Sequence, residues 1–327
     1  MKILIMTSED RVRKYYDLTT LPKDFELIFK DITDPIDEIL STAREAQALF
    51  ADSIAQVPAK LIQGLNKLKI IHAEGVGYNG IDGEAAAKQG VYLCNNAGVN
   101  AKAVAEQTIL LILALQRRLK EGDHLVKNGQ QIQTKGRFIM EGIPELGDSV
   151  VGLIGFGAIA RKTALLLKAF GCSILCYSRH KPEDLDHYGA EYKELDELLQ
   201  ESDIVSLHLP ANKTTNQMVN KDFLYKMKKG ALLINTARGE LVQQEDLCEA
   251  LIEGHIGGAG LDTLAPEPVQ DDNPLLNLGE AFDYKLLLSP HIGGTTTSVF
   301  KRAHQGVWSN IIRVQKGQRP LNIVNGL

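Results

Sequence analysis

A glycine-rich turn between an apolar segment and a helical segment constrains this chain more than any other feature. Residues 151–171 read VGLIGFGAIARKTALLLKAFG, an apolar run, the pattern G-x-G-x-x-A and a helical pattern that stops at a glycine. A turn of this kind lets the backbone approach a pyrophosphate closely and directs the amides of a helix N-terminus at it. The flanking strand and helix are the context that the pattern requires. We therefore predict a dinucleotide site that includes Gly155, Gly157, Ala158 and Ile159.

Short apolar runs alternate with helical patterns along most of the chain. The predicted strands are KILIM, FELIF, ALFAD, KIIHAEG and VYLC within residues 1–95, and SVVGLIG, SILCYS, DIVSLHL, ALLIN, GAGLD and KLLLSP after residue 147. Strands that alternate with helices are typical of βαβ units and parallel sheets. With 327 residues, the chain is long enough for two domains. We therefore expect an α/β protein with two doubly wound, Rossmann-like domains.

Two helical patterns stand outside this alternation. Residues 101–127 predict one long helix, whose apolar block Ile109–Leu115 is hydrophobic on every side. Such a helix should be buried all round, either in a core or in a subunit interface. Residues 299–317 predict a terminal helix, which we expect to dock on the first domain.

Composition and charge exclude several classes of function. The net charge of −5 offers no basic face to nucleic acid or to anionic lipid. The longest apolar run is far shorter than the roughly 18 residues that a membrane span needs, and the N-terminal apolar run is too short for a signal peptide. The four cysteines lack the spacing of metal ligands, so we expect core thiols and no metal site. These features predict a cytoplasmic protein without membrane or nucleic-acid partners.

Polar residues follow several of the predicted strands in the second half of the chain. Arg238 follows ALLIN, Asp262 ends GAGLD, Glu267 lies five residues further on, and His291 follows KLLLSP. Ligands of open α/β sheets bind at the carboxyl ends of the strands. Each residue alone is more often a solvated or structural side chain. Their succession after strands of one dinucleotide fold favours a catalytic site.

Six segments of the chain resemble those of the D-isomer-specific 2-hydroxyacid dehydrogenases. In chain order they are GVGYNGID, AVAEQT, SLHLP, NTARG, DTLAPEP and SPHIGG. The resemblance implies two Rossmann-like domains with the active site in the cleft between them. Residues 1–100 and 293–327 would form the substrate domain, and residues 101–292 the dinucleotide-binding domain. It also implies a homodimer formed largely through the coenzyme domains.

The chemistry of this family accounts for the polar residues at the strand ends. Reduction of a 2-oxo acid delivers a hydride to the carbonyl carbon and a proton to its oxygen, and His291 is the natural proton donor. Glu267 would orient its ring, and Arg238 offers a planar fork to the carboxylate and carbonyl oxygens of the substrate. Backbone amides of the turn formed by Gly75, Val76 and Gly77 resemble the family's carboxylate-binding loop.

The resemblance also implies a set of cofactor residues beyond the glycine turn. Asp262 would hold the nicotinamide carboxamide, and Thr108 would face the cofactor. The further residues that it places at the cofactor are His208, Pro210, Thr215, Thr236, Ala237 and Gly293.

The second strand of the dinucleotide fold lacks the acid that usually ends it. An Asp or Glu at this point accepts hydrogen bonds from the ribose hydroxyls of NAD, whereas this strand ends in Ser178, Arg179 and His180. A carboxylate would repel the 2′-phosphate of NADP, and a hydroxyl followed by a guanidinium suits it. We predict a preference for NADP(H) and allow NAD(H); a solvated loop with little discrimination is the alternative.

The chain departs from the family pattern near the predicted substrate site. Asn96 and Ala97 stand where the family commonly has Thr-Pro, and Ser298 and Ala303 replace a Glu and a Met of the last helix. These departures leave the substrate open. The NADP-type strand end resembles that of glyoxylate and hydroxypyruvate reductases, so these two acids are the predicted substrates.

Three alternatives remain open from the sequence. The first is a reductase of a longer aliphatic 2-oxo acid, and the second is an enzyme like phosphite dehydrogenase. Glu267 argues against formate oxidation, because formate-oxidising members lack that residue. The third is a dinucleotide-sensing regulatory protein, which would keep the same Arg, Glu and His.

Overall fold

The computed structural model describes residues 1–279 and 282–327, and the chain divides into two compact units. Unit 1 consists of Met1–Asn100 and Thr295–Leu327, and unit 2 consists of Ala101–Gly294. The chain thus leaves unit 1 once and returns to it at its C-terminal end.

Unit 1 is a parallel sheet with helices in the connections. Its first elements are β1 (Lys2–Met6), α1 (Glu9–Tyr15), β2 (Glu26–Phe29), α2 (Ile36–Ala43), β3 (Ala48–Ala51), α3 (Ala59–Gly64), β4 (Ile70–Ala73), α4 (Gly83–Lys88) and β5 (Tyr92–Cys94). The strand order is β2-β1-β3-β4-β5, and every described pair is parallel. The chain moves from β1 to one side and then crosses to the other, which makes the sheet doubly wound.

Unit 2 repeats this architecture on a larger scale. Its elements are α5 (Ala101–Gln116), α6 (Leu119–Lys127), α7 (Gln131–Glu141), β6 (Val150–Ile154), α8 (Ala158–Phe170), β7 (Ser173–Tyr177), α9 (Leu185–Tyr188), β8 (Ala190–Tyr192), α10 (Leu195–Glu201), β9 (Ile204–Leu207), α11 (Lys221–Lys226), β10 (Leu232–Asn235), α12 (Gln244–Ile252), β11 (Gly258–Leu261) and β12 (Leu286–Leu288). The last helix, α13 (Thr297–Gln315), belongs to unit 1.

The sheet of unit 2 has the order β12-β11-β10-β9-β6-β7-β8, and its described strand pairs are all parallel. The chain starts at β6, runs outward through β7 and β8, and then returns to the other side of β6 with β9. Because parallel strands end at the same edge, the segments that follow β6, β7, β9, β10, β11 and β12 lie along one edge of the sheet. The predicted α/β class with two parallel sheets is confirmed.

The predicted helix over residues 101–127 is wrong as a single helix. It breaks between α5 and α6, where Arg118 adopts a left-handed conformation with φ 51°. The Arg118 guanidinium pairs with Glu121 and Glu141 and lies 4.2 Å from the centre of the Phe138 ring. These contacts with α6 and α7 hold the chain in its turn. Most residues of α5 are buried, but Leu110, within its apolar block, is 54% exposed, so one stripe of this helix is left uncovered.

Several short elements carried no signal in the sequence. Helix α1 buries Val12 alone, so it lacks an apolar stripe, and it starts where Ser8 caps its N-terminus. Strand β8 has three residues, none of them buried. Hydrophobic periodicity in a sequence indicates a helix or strand that buries one face, so it does not detect elements without a buried face.

Helix α13 packs on the sheet of unit 1 through aromatic and aliphatic side chains. Trp308 is fully buried, and its ring meets that of Phe50 edge to face at 5.9 Å. Ile3, Ile5 and Ile311 complete this side of the core. Within the described part of the chain, no helix combines the length and apolar character needed to cross a membrane.

Buried His72 on β4 links the sheet to α13. Its Nδ1 donates to the carbonyl of Ala73 at 2.9 Å, and its Nε2 accepts from the Asn310 side chain at 3.0 Å. The neutral ring satisfies both contacts, and burial lowers the pKa of His72 to about 4. A proton on Nε2 would face the donor of Asn310.

We expect this histidine to make the protein less stable in acid. An unfolded histidine has a pKa of about 6.5, so between pH 6.5 and 4 the unfolded chain binds a proton that the folded chain does not. The free energy of unfolding should therefore fall over this range, by roughly 2–3 kcal/mol from His72 at pH 4.5. Urea unfolding followed by circular dichroism measures it.

His72→Gln should weaken this pH dependence, because glutamine does not titrate. The same substitution at the exposed His187 is the matched control and should leave it unchanged. Equal pH dependence in the wild type and in His72→Gln would show that His72 does not carry the effect.

Candidate active site

The glycine turn after β6 lies where the strand order of unit 2 reverses. Gly155 has φ +90°, and a Cβ at this position would lie 2.5 Å from the carbonyl oxygen of His208, which follows β9. The Gly155 amide donates to the carbonyl of Tyr177, and the His208 amide donates to that of Ile154, both at 2.8 Å. Only glycine fits a turn this close to its neighbour. Ligands of doubly wound sheets bind at such a reversal.

The N-terminus of α8 suits the pyrophosphate of a dinucleotide. Gly157 is its N-cap residue, and among the described residues no side chain caps the helix. Apart from Gly157 and its two chain neighbours, no described residue has an atom within 4 Å of where a Cβ of Gly157 would stand. Ala160 is fully buried against the sheet, so the helix starts close to β6. Uncapped amides beside open space form an anion site.

The end of β7 carries a guanidinium, an imidazole and a hydroxyl. Ser178 Oγ donates to the carbonyl of His180 at 2.7 Å, and Arg179 and His180 are exposed. Within the residues that the structure describes, Arg179 forms no ion pair. Asp184, further along this loop, pairs with Arg161 of α8. The strand end is therefore positively charged.

The loop after β9 brings three of the predicted cofactor residues together. Thr215 Oγ1 donates to the carbonyl of Pro210 at 2.7 Å and accepts from the amide of Asn212 at 3.0 Å. His208 Nε2 lies 3.0 Å from Ser206 Oγ. Desolvation lowers the pKa of His208 to about 4. The ring is thus neutral near pH 7 and adds no charge to this edge.

Thr108 and Thr236 meet inside unit 2. Their hydroxyl oxygens are 2.9 Å apart, and Thr108 Oγ1 also donates to the carbonyl of Val104. Thr108 is fully buried, and Thr236, at the end of β10, is 6% exposed. The pair joins α5 to the strand end that carries Arg238.

Asn235, for which no role was predicted from the sequence, shapes the turn that presents Arg238. Its Oδ1 accepts from the amide of Ala237 at 3.0 Å, and its Nδ2 donates to the carbonyl of Arg238 at 2.8 Å. An asparagine at the end of a strand, where it can form an Asx turn, was the sequence signal that could have indicated this role. Arg238 is half-buried, and its Nη1 donates to the Ala237 carbonyl at 2.6 Å. No carboxylate of the described chain pairs with this guanidinium.

His291 and Glu267 form a hydrogen-bonded pair at the same edge. His291 Nδ1 lies 2.8 and 2.9 Å from the two carboxylate oxygens of Glu267. A carboxylate only accepts, so Nδ1 carries the hydrogen and Nε2 is directed away from Glu267. The two side chains are 40% and 55% exposed. His291 has φ 52°, a left-handed conformation that is uncommon outside glycine and occurs at functional sites.

Asp262 fastens the turn that carries His291. Its Oδ1 accepts from Ser289 Oγ at 2.5 Å and from the Ile292 amide at 3.0 Å, and its Oδ2 accepts from the Gly293 amide at 2.8 Å. Its carbonyl accepts from the His291 amide. Asp262 as a whole is 2% exposed. Asp262 and Gly293, both predicted at the cofactor, thus hold each other and the histidine turn.

The predicted carboxylate-binding turn belongs to unit 1. Gly75, Val76 and Gly77 follow β4 and are half-buried. The carbonyls of Gly75 and Val76 accept from the Asn96 amide and from the Asn95 side chain. Neither asparagine had a role predicted from the sequence.

Comparisons with known proteins agree with this architecture. A sequence model of the family described as D-isomer specific 2-hydroxyacid dehydrogenase, NAD binding domain, matches residues 109–293. Glyoxylate reductase of Thermofilum pendens is 38% identical over 298 residues, 90% of this chain and 86% of that protein. Glyoxylate reductase of Thermococcus litoralis is 37% identical over 321 residues, 96% of this chain and 92% of that protein.

Solved structures show the same likeness. The structure of D-lactate dehydrogenase from Aquifex aeolicus, complexed with NAD and lactic acid, is 29% identical to this chain with a TM-score of 0.82. It covers the whole of both chains. The family model spans more than half of the chain, and the relatives match nearly all of it. The chain therefore belongs to the D-isomer-specific 2-hydroxyacid dehydrogenase family and is an NAD(P)-dependent dehydrogenase.

Proposed function

We propose that this enzyme reduces glyoxylate or hydroxypyruvate to the 2-hydroxy acid, with NADPH as its preferred hydride donor. The observation that carries the proposal is the pair of His291 and Glu267, with Nδ1 2.8 Å from the carboxylate, at the edge where Arg238 lies unpaired among the described residues. The relatives named glyoxylate reductase support the substrate class.

His291 is the proposed general acid. The dinucleotide, when bound, supplies the hydride that reduces the carbonyl carbon. His291 Nε2 donates the proton to the carbonyl oxygen, and Glu267 holds the ring by accepting from Nδ1. Asp262 acts on the same step by fixing the turn at residues 289–293. The site thus needs two carboxylates, one to orient the ring and one to orient its backbone.

Arg238 and the turn at Gly75–Gly77 are the proposed substrate ligands. The guanidinium supplies a planar pair of donors for a carboxylate and its neighbouring carbonyl oxygen. The amides of the turn, which have no acceptor among the described residues, suit the same carboxylate. Both groups recognise the 2-oxo acid end that all candidate substrates share, so they leave the length of the substrate to other residues.

The dinucleotide is proposed to lie along the carboxyl edge of the unit 2 sheet. The amides of α8 and the turn at Gly155 and Gly157 would hold its pyrophosphate, and Asp262 has one acceptor position left for the nicotinamide amide. The further residues proposed to line the cofactor are Ala158, Ile159, Thr108, His208, Pro210, Thr215, Thr236, Ala237 and Gly293.

A homodimer formed through unit 2 is also proposed. Helices α6 and α7 expose large apolar side chains, among them Leu119 at 60%, Ile139 at 68% and Met140 at 87%. Leu110 of α5 is exposed as well. Clusters of exposed apolar side chains mark association surfaces, and most soluble oligomers are symmetric dimers.

We expect the purified protein to oxidise NADPH with glyoxylate or hydroxypyruvate faster than with branched 2-oxo acids. His291→Asn should lower kcat by roughly 10²–10⁴-fold, the usual effect of losing a general acid. Asparagine tolerates the left-handed backbone of this position, so NADPH binding, followed by its fluorescence, should change little.

His255→Asn is the matched control. His255 follows α12 at the opposite edge of the sheet and stacks on Tyr225. The kcat of the His255→Asn variant should therefore equal that of the wild type. A wild type that turns over no 2-oxo acid would refute the proposed function. Wild-type kcat in His291→Asn would refute the role of His291 alone.

We expect Ser178→Asp with Arg179→Ala to reverse the cofactor preference. In the wild type Arg179 can pair with the 2′-phosphate, and because it is exposed the gain should be only about tenfold in KM for NADPH over NADH. The new carboxylate would accept the ribose hydroxyls and repel the phosphate. Steady-state kinetics with both cofactors at low and high salt measure this.

Salt should weaken the binding of NADPH more than that of NADH in the wild type, because the extra contact, to the 2′-phosphate, is ionic. Lys229→Ala, an exposed cation before β10, should leave the preference unchanged. Equal KM values for both cofactors in the wild type at low salt would rule out the NADP preference.

A further inference from the structure

Two adjacent asparagines hold three consecutive carbonyls of residues 74–77, which we call the β4 loop. Asn96 Nδ2 donates to the carbonyl of Glu74 at 2.8 Å. The Asn96 amide donates to the carbonyl of Gly75 at 2.9 Å. Asn95 Nδ2 donates to the carbonyl of Val76 at 2.7 Å. Each of the three peptide planes of the loop is therefore fixed by its own hydrogen bond.

This arrangement determines where the loop amides point. In a planar trans peptide the carbonyl of one residue and the amide of the next point in opposite directions. Carbonyls 74, 75 and 76 face the asparagines, so the amides of Gly75, Val76 and Gly77 face away from them. Within the described chain, none of these three amides has an acceptor. A row of such amides is a site for an anion.

Asn96 is itself held by α13. Its Nδ2 also donates to the carbonyl of Ala303 at 3.1 Å, and the residue is 6% exposed. A Cβ on Gly306 would lie 2.3 Å from Asn96 Oδ1, so this part of the helix must be glycine for the amide to fit. The family commonly has threonine here, whose single hydroxyl hydrogen cannot serve both carbonyls.

The first residue of the loop is anchored by its buried carboxylate. Glu74 is 3% exposed, and its Oε1 lies 2.8 Å from His304 Nε2 on α13. Its Oε2 accepts from Arg11 on α1 at 2.9 Å, and Arg11 also reaches Asp52 at 2.6 Å. Removing a partner from a buried carboxylate is costly, because its charge is then left uncompensated. The start of the loop is therefore tied to two helices and cannot shift independently of them.

We propose that Asn95 and Asn96 are positioning residues of the reaction, which orient the β4 loop so that its three amides bind the carboxylate of the 2-oxo acid. Glu74 anchors the loop against which they act. The inference rests on the proposed function, since it specifies how the same substrate site is built. It predicts that loss of either side-chain donor weakens substrate binding more than it weakens the fold or the cofactor site.

Asn95→Asp and Asn96→Asp test this with little change of volume. Asn95 Oδ1 has no partner among the described atoms, so Asn95→Asp removes only the donor to Val76 and places an oxygen against its carbonyl. Asn325→Asp is the matched control. Asn325 Nδ2 donates to the carbonyl of Val91 at 2.9 Å, at the opposite end of β5 from Asn95.

We expect KM for glyoxylate to rise roughly 5- to 100-fold in the two loop variants, the range that follows from an unsatisfied buried carbonyl. Oxamate carries an amide in place of the reducible carbonyl. Its dissociation constant, measured by calorimetry at saturating NADPH, should rise by a similar factor. NADPH binding should stay within about twofold of the wild type. Asn325→Asp should lower the melting temperature to a similar extent and leave KM unchanged.

Asn96→Thr, which keeps one donor, provides a second variant if Asn96→Asp fails to fold, and its KM should rise less. If the loop variants have the same KM and the same oxamate affinity as Asn325→Asp, the inference is overturned. The proposed function would still stand if the wild type turns over a 2-oxo acid. A wild type that neither turns over a 2-oxo acid nor binds oxamate would overturn both.

Discussion

Parallel strand pairing is the constraint on which the site in unit 2 depends. Every described strand of its sheet runs in the same direction, so segments more than 130 residues apart in the chain end at one edge. The glycine turn follows β6, Arg238 follows β10, and His291 follows β12. These residues are far apart in the chain, so local sequence does not bring them together. The sheet alone gathers the glycine turn, the Arg238 guanidinium and the His291 ring along one edge.

Two buried carboxylates hold the carboxyl edge of the unit 2 sheet and the β4 loop in a defined geometry. Asp262 spends three acceptor positions on the turn around His291, and Glu74 is bound by Arg11 and His304. A buried carboxylate is tolerated only when it is bonded in this way. Asp262 holds backbone amides of the turn, and Glu74 ties the start of the β4 loop to side chains of α1 and α13. The amides proposed to meet the substrate keep donors that have no acceptor among the described residues.

The strands and the dinucleotide turn were predictable because their signals are local. The core strands lie within two residues of their predicted ends, since buried parallel strands read as continuous apolar runs. The glycine turn was identified by its pattern between a strand and a helix, and the strand-end residues by their position after predicted strands and by the family resemblance. The break at Arg118 was not, because it depends on Glu141 and Phe138 in α7, which follow it by 20 or more residues.

The sequence by itself determined the fold class, the family and the types of residue available for chemistry. Tertiary structure alone decided how they are oriented. Glu74 meets His304 and Asn96 meets Ala303 across more than 200 residues, and no periodicity or motif reports such pairs. The orientation of the β4 loop amides follows from those distant contacts, because a peptide plane is turned by whatever bonds its carbonyl.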